Sequence, residues 1–202
     1  MKNIFIIIFL IISICSFSQE AANYLFIGQV TEDINTVNQK LELNAPFELI
    51  TNSSNKIEIR LISYTTPEYI TFYLLSYNRT WSIKYMVYEP KSEKFVTKAT
   101  NVSNLEGLFN RLVINNIFSL PDEKNIKAEK QLFNKETSEI IFQNFAISHG
   151  ITYIVEFKVG EKYRRYTYVN PIENAKFFPH VNEYKNMSAI VKNFSQISTN
   201  KK

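Results

Sequence analysis

Lys56-Ile57-Glu58-Ile59-Arg60-Leu61 decides the fold class. Ile57, Ile59 and Leu61 fall on one side of an extended chain and Glu58 and Arg60 on the other, the period-two pattern of a strand with one covered and one wet face. Downstream, Tyr69 to Ser76 and Trp81 to Tyr88 repeat the extended pattern around a turn at Tyr77-Asn78-Arg79-Thr80, with Trp81, Ile83, Tyr85 and Val87 sharing a face. Three antiparallel strands follow from this spacing. Ser103-Asn104-Leu105-Glu106 then has the form of a capping box, and Leu105, Leu108, Phe109, Leu112, Val113 and Ile117 recur at helical spacing until Leu120-Pro121.

The second half repeats the theme. Tyr153, Val155, Phe157 and Val159 alternate with Glu156 and Lys158, Gly160-Glu161 turns the chain, and Tyr163 to Val169 returns. Asn170-Pro171 opens a short helix as cap and first residue, and Tyr184, Met187, Ile190, Val191, Phe194 and Ile197 define a final amphipathic helix. The expected fold is α+β, an antiparallel sheet from two hairpin regions with amphipathic helices packed on one face. A single domain over residues 19–202 is expected, read as half-units 56–121 and 150–198 joined by the charged segment 122–149. Residues 122–139 carry five acids and four lysines and are expected to be a solvated helix or linker. Upstream, Tyr24 to Val30 reads as a strand and Thr51 to Asn55 as a turn.

At the start of the chain, Lys2 precedes the apolar run Ile4–Ile12 and the smaller, more polar Ser13–Ser18, the order of a secretory signal peptide. Ser16 and Ser18 supply small residues for a cut before Gln19, and the apolar run is far short of the roughly 20 residues a membrane span needs. Residues 1–18 are therefore expected to be removed, leaving no transmembrane helix and a periplasmic or secreted protein. The competing reading makes Cys15 a lipid anchor, against which Ile14 occupies the position where a lipobox has a small residue. Cys15 is the only cysteine, so cleavage after Ser18 removes every thiol, and with it any disulfide or thiolate ligand.

Several kinds of chemistry are excluded or disfavoured. The four glycines, Gly28, Gly107, Gly150 and Gly160, are too scattered for a dinucleotide fingerprint or a phosphate-cradling loop, so no nucleotide is expected. His149 and His180 lack metal-ligand spacing, and Asp33 and Asp122 are the only aspartates, so no metal and no cofactor is expected. The net charge of +4 is well mixed along the chain, unlike the concentrated charge of a nucleic-acid binder.

One segment does suggest binding. Lys158, Lys162, Arg164 and Arg165 interleave with Tyr163 and Tyr166 on one hairpin, and cations beside aromatic faces hold anionic glycans or other anionic chains by charge and stacking. Against this stands the ordinary reading, in which the tyrosines pack inward and the basic residues occupy the wet face. The functional expectation is an exported, non-catalytic protein that binds a partner, an anionic glycan or an envelope protein. The alternatives are a metal-independent hydrolase of glycan or peptide, and a structural envelope-associated domain.

Leu112, Asn115-Asn116-Ile117-Phe118, Leu120-Pro121-Asp122, Gly150-Ile151-Thr152-Tyr153, Tyr163-Arg164-Arg165-Tyr166 and Asn170-Pro171, with Phe17-Ser18-Gln19 at the end of the signal, resemble uncharacterised exported proteins of the Bacteroidetes. The resemblance spans about residues 56–197 and implies export from a Gram-negative cell. It carries no activity over to any residue.

Overall fold

The computed structural model describes residues 48–65, 69–100, 102–126, 130–134, 139–143 and 150–198. The signal segment with Cys15, the expected strand at Tyr24–Val30, and His149 lie outside them. Among the described residues, eight strands and three α-helices follow in order: β1 (Ile57–Tyr64), β2 (Ile70–Asn78), β3 (Thr80–Glu89), β4 (Lys94–Lys98), α1 (Leu105–Ile114), β5 (Lys130–Asn134), β6 (Glu139–Gln143), β7 (Thr152–Val159), β8 (Lys162–Val169), α2 (Pro171–Phe177) and α3 (Asn182–Ser198). Six strands form one antiparallel sheet in the order β4-β3-β2-β1-β7-β8, and β5 and β6 make a separate hairpin. The sheet is thus continuous between the two halves of the chain, because β1 pairs with β2 on one side and with β7 on the other.

The protein has an α+β fold whose helices pack on one face of the sheet. Ile59, Leu61, Tyr73, Leu75, Val155, Phe157, Tyr166 and Tyr168 point from the strands into a buried cluster with Leu108 and Leu112 of α1 and Met187, Ile190, Val191 and Phe194 of α3. Each of these large apolar side chains contributes roughly 1.5–3 kcal/mol by leaving water. Trp81 joins their margin, its ring 4.6 Å from Phe109.

Several elements differ from expectation. Asn104, not Ser103, caps α1, its side chain accepting from the Gly107 amide at 2.6 Å. The helix stops at Ile114, well before Pro121. Asn116 takes a left-handed φ of 58°, its amide bonds the Val113 carbonyl and the Ile117 amide bonds the Leu112 carbonyl, the paired bonds of a Schellman ending. Ile117, Phe118 and Leu120 continue the apolar pattern but reach the core from this irregular turn. Within 122–139, expected to be a helix or linker, the chain makes a short 3-10 turn at Glu123–Asn125 and then β5 and the start of β6. Asn170 caps α2 by position, yet its side chain makes no cap bond. Its Oδ1 accepts from the Ile151 amide at 2.8 Å instead.

Candidate binding face of the sheet

The β7–β8 hairpin turns at Gly160, whose φ of 58° suits a residue without a Cβ, and the strand period then splits the basic and aromatic residues between two faces. Arg164 and Tyr166 point to the helix side. Arg164 Nη1 donates to the Phe118 carbonyl at 3.1 Å and Nη2 to that of Leu120, while the Tyr166 hydroxyl donates to the Ile117 carbonyl at 2.9 Å. Both residues are buried, and the guanidinium lies 5.5 Å from the Tyr166 ring centre. Together they hold the three carbonyls that the chain leaves open after α1. This role is structural, and it takes Arg164 and Tyr166 out of any exposed basic surface.

Tyr163 and Arg165 lie on the opposite, outer face with Lys158. Lys158 Nζ donates to the Thr51 carbonyl at 3.2 Å and to that of Ser53, tying the chain before β1 to this face. Lys162 is exposed where β8 begins. The hairpin therefore brings together Lys158, Tyr163 and Arg165 and separates them from Arg164 and Tyr166.

The outer face also holds an ionic row that the strand alternation alone did not assign. Arg60, expected on a wet face with Glu58, is buried, and so is Glu58. The pairing register sets Arg60 opposite Glu156, Glu156 opposite Arg165 and Glu58 opposite Lys158. Arg60 Nε donates to Glu58 Oε1 at 2.7 Å, its Nη1 lies 3.8 Å from Glu156 Oε2, and Arg165 Nη1 lies 3.7 Å from Glu156 Oε1. Asn55 Nδ2 donates to Glu58 at 2.6 Å, the Ser53 hydroxyl donates to the same carboxylate, and Arg60 Nη2 donates to the Glu48 carbonyl at 2.9 Å. Residues 48–55 thus lie over the polar end of the sheet and satisfy charges that water would otherwise serve.

Burial raises the Glu156 carboxyl above its ordinary range, and Arg165 and then Arg60 oppose the shift. Burial also pushes the Tyr163 hydroxyl up to about 12, with the Glu156 charge adding to it. A sequence signal for the row did exist: Glu-x-Arg in β1 faces Glu-x-Lys in β7, and antiparallel pairing sets opposite charges across from one another.

A second polar group closes the outer edge of β8. Asp122 Oδ2 accepts from the Thr167 amide at 3.1 Å, and Glu123 Oε2 accepts from the Val169 amide at 2.7 Å. Glu123 Oε1 also accepts from Asn174 Nδ2 of α2 at 3.0 Å, and the carboxylate bonds the Tyr184 hydroxyl of α3. Burial raises the Glu123 pKa more than these bonds lower it, and burial pushes Tyr184 up to about 12. Carboxylates that accept edge amides leave fewer donors for an incoming strand.

Among the described residues, no group of three or more His, Cys, Asp or Glu side chains is placed to hold a metal, and no helix is long and apolar enough to cross a membrane. Comparison of the chain with family models, with curated proteins and with solved structures found no match.

Proposed function

We propose that the protein is exported and works without catalysis, by binding an anionic partner at the polar end of the outer sheet face. The observation that carries this reading is the gathering of basic side chains beside an aromatic ring in the two polar rows. Among the described residues, Lys84, Arg60, Lys158 and Arg165 share the outer face with Glu58 and Glu156, beside the half-buried ring of Tyr163. Arg60 and Lys158 hold residues 48–55, which leaves exposed Lys84 on one flank and half-buried Arg165, paired with Glu156, on the other as the groups nearest an incoming ligand. A carboxylated or sulfated glycan suits such a surface, since basic groups beside an aromatic ring favour anionic sugars. Export is supported by the signal-like Met1–Ser18 and by the resemblance to exported Bacteroidetes proteins.

The test is retention of the mature protein on immobilised heparin. Lys84→Glu with Arg165→Gln should lower the salt needed for elution substantially, while Lys94→Glu with Lys98→Gln on β4, the same change of charge elsewhere, should change it little. Equal losses in the two variants, or none in the first, would overturn the assignment.

A further inference from the structure

The cations of the ionic rows are not equally matched. Arg60 faces carboxylates, bonding Glu58 and lying 3.8 Å from Glu156. Lys158 does not. Glu58 stands opposite it in the pairing register, but the Glu58 carboxylate is taken by Arg60, Ser53 and Asn55. Among the described residues the half-buried Lys158 ammonium instead bonds two main-chain carbonyls, of Thr51 and Ser53, and pairs with no carboxylate. A carbonyl offers a cation only a dipole, where an ionised oxygen offers a full charge. The Glu48 carbonyl sits on Arg60 Nη2 in the same way, so one stretch of chain, residues 48–55, supplies all three oxygens.

That stretch is lightly anchored. Ile50, 3% exposed, is its one buried apolar side chain, and Leu49, Thr51, Asn52 and Ser54 are exposed. The Asn52 and Ser53 amides bond back to the Leu49 and Ile50 carbonyls within the stretch itself, and Lys56 is the first residue whose amide bonds a strand, at the Tyr77 carbonyl. The remaining ties to the sheet are side-chain bonds, from Ser53 and Asn55 to Glu58 and from Lys158 and Arg60 to the carbonyls. A segment with few buried apolar contacts and no place in a strand ladder opens locally at small cost.

We infer that residues 48–55 are an internal strap on the anion-binding face: their carbonyls hold Lys158 until an anionic glycan, met first by Lys84 and Arg165, displaces them. The inference rests on the anionic-partner reading above and adds the regulation of that site. Lys158 is the group that changes partners, exchanging neutral acceptors for a charged one beside the Tyr163 ring, while Arg60 keeps its two carboxylates. A closed strap reduces apparent affinity in proportion to the fraction of chains in which it is open, so loosening it tightens binding.

Hydrogen exchange read by mass spectrometry on the mature full-length chain tests it, with a sulfated heparin tetrasaccharide as the probe. At saturation the peptide carrying the Asn52, Ser53 and Asn55 amides should exchange about threefold faster or more than in the chain alone, as a locally opened segment does. Unchanged or slower exchange there with the probe bound would overturn the strap and leave the binding face standing. A second measurement uses Ile50→Ser with Ser53→Ala, which removes the apolar anchor and one bond to Glu58. Its tetrasaccharide Kd should fall by about threefold or more, and adding Lys158→Gln should cancel that gain. Equal or weaker binding by the loosened variant, or a gain that survives Lys158→Gln, would count against the strap. No binding by either the native or the loosened chain would remove the anionic-partner reading as well.

Discussion

Replacing Arg60 by methionine isolates the buried ionic row. Methionine keeps most of the volume but removes the charge that faces Glu58, whose side chain is 2% exposed against 6% for that of Arg60. Glu58 would keep the Ser53 hydroxyl and Asn55 amide as donors, and Glu156 would keep Arg165 at 3.7 Å. Those contacts soften the loss without replacing a full positive charge. Breaking a buried pair by removing one partner costs about 3–5 kcal/mol, whereas an exposed pair is worth roughly 0.2–1 kcal/mol. With a urea dependence of about 2 kcal/mol per molar, the unfolding midpoint of Arg60→Met should fall by about 1.5–2.5 M. Trp81, the only tryptophan, reports the transition from its place between Phe109 and Tyr77. The double variant Glu58→Leu with Arg60→Met should recover most of the loss, because no carboxylate then remains uncompensated at position 58, and the cycle should show a coupling of about 2 kcal/mol or more. A loss below about 1 kcal/mol in Arg60→Met, the size of a surface pair, would refute the claim that this row is desolvated.

Two further perturbations follow from the helix side. Burial raises Glu123 above the ordinary 4.5, so its ionisation opposes folding: the stability of the native chain relative to Glu123→Gln should be greatest at acid pH and fall as pH rises from about 4.5 through the folded value. Urea unfolding of both proteins at pH 4 and pH 8 checks the sign, and a difference that grows with pH would contradict it. Gly150→Ala would set a Cβ against the side chain of Asn170, which sits buried with a φ of 48° and accepts from the Ile151 amide. Displacing that bond should cost about 1–3 kcal/mol, or roughly 2–10 °C in Tm, and an unchanged melting curve would show that Asn170 repacks freely.

Period-two alternation made β1, β7 and β8 legible, and the 3.6-residue spacing of Met187, Ile190, Val191 and Phe194 marked α3. What alternation does not reveal is which faces acquire a cover. Glu58 and Arg60 read as wet because their compensation comes from Glu156 and from Ser53 and Asn55, whose approach depends on pairing and on the path of residues 48–55. The end of α1 was misplaced for a local reason: Ile117 keeps helical spacing after Asn116 has already reversed the backbone. Five-residue β4 begins and ends in lysine and offers too few apolar positions to show a period, and the charges around β5 and β6 hid their pairing. In the basic hairpin, strand geometry itself separates the candidates, since Arg164 and Tyr166 share one parity and Tyr163 and Arg165 the other.

Central placement gives β1 a consequence the outer strands do not share. It is flanked by β2 and β7, its odd residues meet the helices, and its even residues enter the ionic and apolar rows. Neither parity of β1 therefore offers a free surface, and substitutions at Ile59 and at Arg60 should both act through stability. On the binding proposal, the residues to vary lie towards the sheet margins, exposed Lys84 on β3 and half-buried Arg165 on β8. On that proposal stability and recognition are separable, and the heparin comparison between the Lys84 and Arg165 pair and the β4 lysines tests recognition on a fold held together by β1.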